Sequence, residues 1–296
     1  MKTLQNFSIL FLLIAFSQGY SQAAYPILPS AEAHYAELLN YDPQPTEEGR
    51  WLDSIAFPKE LFNDALLYTM ITPAYLSAEE VTQLKNSLSF PANSSEQTRK
   101  ELDFLLRLQE QRTPQQVLQV NELGKVGYWP EIDLLPSHPQ YQQNLEYLFY
   151  EVQQVMGAEY NASNSPHTAR LLRGVMKDMR LVEFSLKYHH LRARPYQLDL
   201  RLEPLNRMKS PSFASGHTLW AYVQALSLAE LIPEKSEAFL ELAWQIGYSR
   251  ELMGVHFPSD EEAARKLAYE MLQLMWQKED FRRDLEMAKS EWKERI

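Results

Sequence analysis

Apolar side chains recur every three or four residues through most of the chain after its first two dozen positions, the spacing that gathers them on one face of an α-helix. No stretch alternates apolar and polar residues as a half-buried strand would, and no Gly-rich hairpin punctuates the pattern. The predicted fold class is therefore all-α. Helices are expected over roughly 29–41, 60–70, 77–88, 95–112, 114–124, 142–157, 167–192, 217–231, 235–253 and 260–277, with a charged helix closing the C-terminus. Two starts carry local signals: Ser95 ahead of Glu96 and the run Thr98-Arg99-Lys100-Glu101, and Thr113-Pro114-Gln115-Gln116, which joins a capping residue, a proline at the first helical position and a glutamine at the third. Ser259-Asp260-Glu261-Glu262 reads as a further helix start with its own capping box. Irregular segments fall at 42–46, 90–94, 129–139, 161–166 and 203–214. None is a long flexible linker and no repeat is present, so residues 24–296 are expected to form a single compact helical domain.

The first residues depart from this pattern. Lys2 followed by the apolar run Phe7 to Phe16, then small residues at Ser17, Gly19, Ser21 and Ala23, reads as a signal peptide over 1–23, cut after Gly19 or Ala23. The run is shorter than the roughly 20 residues of a bilayer span. Downstream, the longest apolar segment, Leu219 to Ile232, is interrupted by Gln224, Ser227 and Glu230, so no integral membrane segment is expected in the mature chain. A periplasmic or secreted protein is implied. It contains no cysteine, which excludes disulfides and a lipid-modified cysteine anchor and leaves stability to the core.

Acidic residues outnumber basic ones by 39 to 29, for a net charge of −10, which argues against nucleic acid as a partner. Against that background the cluster Lys187, Arg192, Arg194 reads as a local anion site. Lys187 and Arg194 are seven residues apart, two helical turns, so both side chains are expected on one face of a helix that Pro195 terminates. Ser215-Gly216-His217 sits between a polar loop and an apolar run, where free backbone N–H groups, a hydroxyl and a glycine form an anion cradle. Arg250 and His256 flank Gly254, and Asp260 lies four residues beyond His256. Of the remaining histidines, His189 and His190 are expected near the pocket mouth, while His34, His138 and His167 have no partner pattern. No His/Asp/Glu grouping outside these segments has metal-ligand spacing.

Written out, KYHHLRARP (187–195), PSFASGHT (211–218) and SRELMGVHFPSD (249–260) resemble the three signature motifs shared by bacterial class A non-specific acid phosphatases, type 2 phosphatidic acid phosphatases and vanadium-dependent haloperoxidases. The segment 95–114 also resembles the region ahead of those motifs in the class A enzymes. The sequence departs from the usual Pro-Ser-Gly-His in having Ala214 where the family has proline. The resemblance implies an all-α domain of the acid phosphatase/vanadium haloperoxidase type and the hydrolysis of small phosphorylated substrates, with no cofactor. It assigns His256 as nucleophile, His217 as general acid and Asp260 as the group that orients His256, and it gives the phosphate to Lys187, Arg194, Ser215, Gly216 and Arg250, with no metal site. Vanadate is implied as an inhibitor, or as the cofactor if the alternative, a vanadium-dependent haloperoxidase, holds. A third alternative is an exported anion-binding protein without catalysis; against it, pure binding would not need both His217 and Asp260. Oligomeric state and physiological substrate are left open.

Overall fold

A computed structural model describes residues 31–127 and 135–293. The predicted signal peptide lies outside the described residues. The described chain forms α1 (Ala31–Ala36), α2 (Ala78–Ser87), α3 (Glu96–Gln111), α4 (Pro114–Leu123), α5 (Tyr141–Tyr147), α6 (Tyr150–Met156), α7 (Pro166–His190), α8 (Pro195–Leu198), α9 (Gly216–Leu231), α10 (Ser236–Leu252), α11 (Pro258–Met275) and α12 (Glu279–Lys293). Among the described residues there is no β-strand, only an isolated bridge between Ala56 and Arg192.

α9 forms the centre. Leu219, Trp220, Ala221, Val223, Ala225 and Leu228 are buried around its whole circumference, as befits a helix that is apolar on every side. α7, α10 and α11 pack against it, and α12 covers the outer side of α7. Two of the three capping signals behave as expected. Ser95 Oγ accepts from the Thr98 N–H at 3.1 Å, and Thr113 and Gln116 cap each other reciprocally at 3.2 and 2.8 Å.

The structure corrects the sequence reading at four places. The segment 60–70 is not an α-helix but two 3₁₀ pieces, Lys59–Leu61 and Asp64–Met70, because Asn63 Oδ1 accepts the Ala65 N–H and starts the chain afresh. The helix expected over 142–157 breaks at Leu148 and Phe149, both fully buried. α7 ends at His190 rather than running to Pro195. Leu191 turns left-handed at φ 52°, and its carbonyl accepts the Phe57 N–H at 2.7 Å, which sends residues 192–194 off extended. Pro195 therefore opens α8 instead of ending a helix. Finally, α11 begins at Pro258, capped at Phe257, so Ser259 is not its cap.

Burial also sets how the fold responds to pH. Glu151 on α6 is 1% exposed, and its Oε1 accepts from Trp220 Nε1 on α9 at 2.8 Å while Oε2 has no partner. Burial without a cation pushes its carboxyl up to about 8. Because the folded value lies above the unfolded one, this group's stabilisation is complete below the ordinary 4.5 and is lost as pH rises through about 8, by up to ~1.4 kcal/mol per unit. Glu151→Gln keeps the contact with Trp220 and removes the titration. Urea unfolding from pH 5 to 8 is expected to show the variant gaining on the wild type as pH rises; a constant difference would mean that Glu151 does not titrate in this range.

Candidate active site

Three elements converge: the end of α7 with its extended continuation, the start of α9, and the end of α10 with the turn into α11. At the first, Lys187 is buried and its three donors reach the carbonyls of Pro211, Ser212 and Ala214 at 2.9, 3.3 and 2.6 Å. The ammonium therefore holds the loop ahead of α9, and an anion would have to replace one of these carbonyls. The Phe213–Ala214 peptide in that loop is cis. Burial, then Arg194, lowers the Lys187 pKa, and burial raises that of Glu183, its neighbour 4.0 Å away.

Arg194 enters from extended backbone, not from the face of α7. Its Nη1 donates to the Val255 carbonyl at 2.7 Å and to His256 Nε2 at 2.9 Å, and its Nε donates to Ser210 O at 2.9 Å. Arg192 was expected to share an anion site with these two, and the structure overturns that. Its Nη1 donates to Asp260 Oδ1 at 2.6 Å and to Ser259 Oγ at 2.9 Å, Glu101 lies 3.5 Å from Nη2, and the guanidinium sits 4.0 Å over the Phe257 ring. Its charge is committed to a carboxylate.

Ser215 caps α9, and its hydroxyl is buried with no hydrogen bond of normal geometry, the Glu261 carboxyl being its near neighbour. The N–H groups of Gly216, His217 and Thr218 open the helix and so have no intrahelical acceptor. A Cβ at Gly216 would run into the Glu183 carboxyl, which would have to move aside. His217 is half-buried, whereas Lys187, Arg194, Ser215, Arg250 and His256 are buried. Its Nε2 donates to the Gly124 carbonyl at 3.3 Å.

Arg250 completes the cation set. Its Nε and Nη2 donate to Ser249 Oγ, and Nη2 also to the Val120 carbonyl at 2.9 Å. Burial lowers its pKa to about 10, so it remains charged. Gly254, at φ 71°, makes the left-handed turn that swings the chain back toward the pocket. His256 follows, with Nδ1 3.2 Å from Asp260 Oδ2. Because the guanidinium of Arg194 can only donate, His256 Nε2 must be an acceptor and Nδ1 carries the proton toward Asp260. Burial, and then Arg194, hold His256 well below the usual histidine value, so the ring is neutral. Burial alone would raise Asp260, yet Arg192, with the hydrogen bonds to His256 and Ser212, more than offsets this and holds it well below the carboxylate range.

The eight positions singled out in the sequence are thus drawn together where these elements meet, and of them His217 and Arg250 line a described cavity while Lys187, Arg194, Ser215, His256 and Asp260 are buried beside it. What the sequence reading missed were the supports: the supporting role of Arg192, Ser212, whose hydroxyl donates to Asp260 at 2.5 Å, and Glu101, which accepts from the Ser259 N–H and hydroxyl at 2.7 and 2.9 Å. His34, assigned no partner, bonds Glu251 at 2.8 Å beside Arg250. His190 packs on Phe90 and Phe213. Arg192→Met is expected to cost ~3–5 kcal/mol in urea unfolding, because it leaves Asp260 buried without its cation; a loss under 1 kcal/mol would show that Ser212 and His256 suffice to hold the carboxylate.

Comparison with known proteins places this geometry. Residues 174–284, which contain all eight positions, match the PAP2 superfamily. The chain is 32% identical over 117 residues to a non-specific acid phosphatase of Salmonella typhi, a match covering 38% of this chain and 47% of that protein. It is 28% identical over 145 residues to a non-specific acid phosphatase of Providencia stuartii, covering 47% of this chain and 58% of that one. The chain thus spans about half the length of these curated relatives. The crystal structure of a bacterial vanadium-dependent iodoperoxidase superposes with a TM-score of 0.54 at 14% identity, over 83% of this chain and 64% of that one, a likeness of fold. With a matching domain that spans all three motifs on an all-α frame of this type, the chain carries a PAP2 superfamily domain.

Proposed function

We propose that this protein is an exported acid phosphatase that hydrolyses phosphomonoesters through a phosphohistidine intermediate. The observation that carries the reading is the state of His256: a neutral ring, Nδ1–H directed to Asp260 and the Nε2 lone pair facing a cation. That is how a nitrogen nucleophile is prepared. A bound phosphoryl group would displace His256 from Arg194, whose fork then meets its oxygens together with Arg250, the Ser215 hydroxyl and the free N–H groups of α9. Nε2 forms the P–N bond as the P–O ester bond breaks, and His217 gives a proton to the departing oxygen. Water, losing its proton to His217, then cleaves the P–N bond and orthophosphate leaves.

His217 sets the pH dependence. Burial, and then Arg250, hold its pKa well below the usual histidine value in the free protein, so its acidic form is populated only at low pH or when a phosphate anion offsets the local positive charge. The expected consequence is a kcat/KM for alkyl phosphates that rises toward acid pH, while p-nitrophenyl phosphate, whose leaving group departs as an anion, depends less on this proton. His217→Ala is expected to lower turnover of alkyl phosphates by roughly 10²–10⁴-fold and largely to spare p-nitrophenyl phosphate. Equal losses on both would assign His217 to phosphate binding instead.

The nucleophile is tested by rapid quench with labelled substrate. An acid-labile phosphohistidine, absent in His256→Ala, is expected; a phosphoserine at Ser215 would identify another nucleophile. No step uses a metal, so activity should survive EDTA, and loss on chelation that Zn²⁺ or Mg²⁺ restores would overturn the mechanism. The same donors would hold vanadate as a mimic of the five-coordinate transition state, so competitive inhibition is expected. Fast bromination with vanadate and peroxide, alongside negligible phosphate release, would favour the haloperoxidase reading.

A further inference from the structure

We propose that the cavity bordered by His217 is the leaving-group pocket, and that it selects esters of small uncharged alcohols over esters whose alcohol carries a second anionic group. The proposal rests on the phosphatase reading above and adds the class of alcohol to it.

The cavity measures about 290 Å³ and lies between the end of α4, the segment ahead of the active-site loop, and the end of α10. It is at the small end of the ~300–1,000 Å³ typical of ligand pockets, enough for one ring and not for an extended molecule. His217 and Arg250 both line it. An ester whose phosphoryl group meets Arg250, and whose bridging oxygen meets His217, must project its alcohol into this space. The other phosphate-site residues named above are buried, so this half-buried edge is where the alcohol can reach solvent.

The lining sets what fits. Val120 and Met253 are buried, and Met208 is half-buried beside them. They offer an apolar wall, and unbranched methionines adapt to alcohols of different shape. Toward solvent the lining becomes Asn121 and Asn206, both exposed, whose amides can bond hydroxyl groups at the far end of a ring. Apart from Arg250 and His217, no residue among the described ones lining this cavity is charged. The neighbouring cations are engaged elsewhere: Arg207 lies 5.1 Å over the Tyr196 ring, and Lys125 pairs with Glu122 at 2.5 Å. A second phosphate or carboxylate would therefore lose hydration without gaining a cation, in a chain of net charge −10.

The test compares 4-(hydroxymethyl)phenyl phosphate with 4-carboxyphenyl phosphate in the wild type and in Asn121→Lys, an exposed position where a lysine can be accommodated. The wild type is expected to favour the hydroxymethyl ester by about fivefold in kcat/KM, and the lysine to bring the ratio close to one by supplying the missing cation. Equal kcat/KM in the wild type, or a ratio that Asn121→Lys leaves unmoved, overturns the pocket while leaving the phosphatase reading intact. If neither ester releases phosphate, it is the phosphatase reading that fails. The pocket is then decided by calorimetric titration with benzylphosphonate and 4-carboxybenzylphosphonate: the same preference and the same reversal support it, and equal affinities in both proteins overturn it.

Discussion

The contact on which the rest of the site depends is an ion pair sealed from water, Arg192 Nη1 to Asp260 Oδ1 at 2.6 Å, with both side chains at 0% exposure. A lone carboxylate at such depth would take up a proton. Held ionised by Arg192, Asp260 can instead accept from Ser212, from His256 and from the Phe257 N–H through its other oxygen. One carboxylate thereby fixes the ring of His256, the start of α11 and the loop that leads into α9. Such a pair is weak as a source of net stability but expensive to break once formed, which suits a site whose geometry must not drift.

The same logic extends outward. Glu101, delivered by α3, sits 3.5 Å from Arg192 and accepts from both the N–H and the hydroxyl of Ser259 at the first turn of α11. Anionic groups are favoured at a helix start, where unpaired N–H groups converge. The region ahead of the motifs therefore supports the chemistry although it contributes no group to the pocket. Lys187 does comparable work on the opposite wall, gathering three carbonyls of the 211–214 loop.

Two more carbonyls face the pocket from α4 and the turn that follows it: Val120 O on Arg250 and Gly124 O on His217. Both belong to the last turn of a helix and its continuation, where the helix dipole leaves partial negative charge; Val120 O also accepts the Gly124 N–H, so Arg250 takes its second lone pair. They satisfy a cation and an imidazole N–H. A Cβ at Gly124 would lie 3.2 Å from the guanidinium nitrogens of Arg250, so a larger residue there would require that side chain to shift.

The all-α class and most helix positions were legible in the sequence, because each rests on short-range relations, and the eight site positions stood out in short motifs that resemble those of a known family. Apolar periodicity marks buried helix faces, Ser95 and Thr113 cap helices a few residues away, and Arg250, Gly254, His256 and Asp260 lie within eleven positions, with His256 and Asp260 one turn apart. The chain path between Lys187 and Arg194 was not legible: an unbroken helix would suit their spacing, and only the hydrogen bond between Phe57 and Leu191 ends it early. Nor was the work of Arg192. By composition it belongs with Lys187 and Arg194, yet its partners lie 67 and 68 positions away at Ser259 and Asp260, and Glu101 meets Ser259 across 158. Periodicity and spacing describe neighbours along the chain. Which buried charge meets which is settled only when packing removes water from both, and that is a property of the tertiary structure.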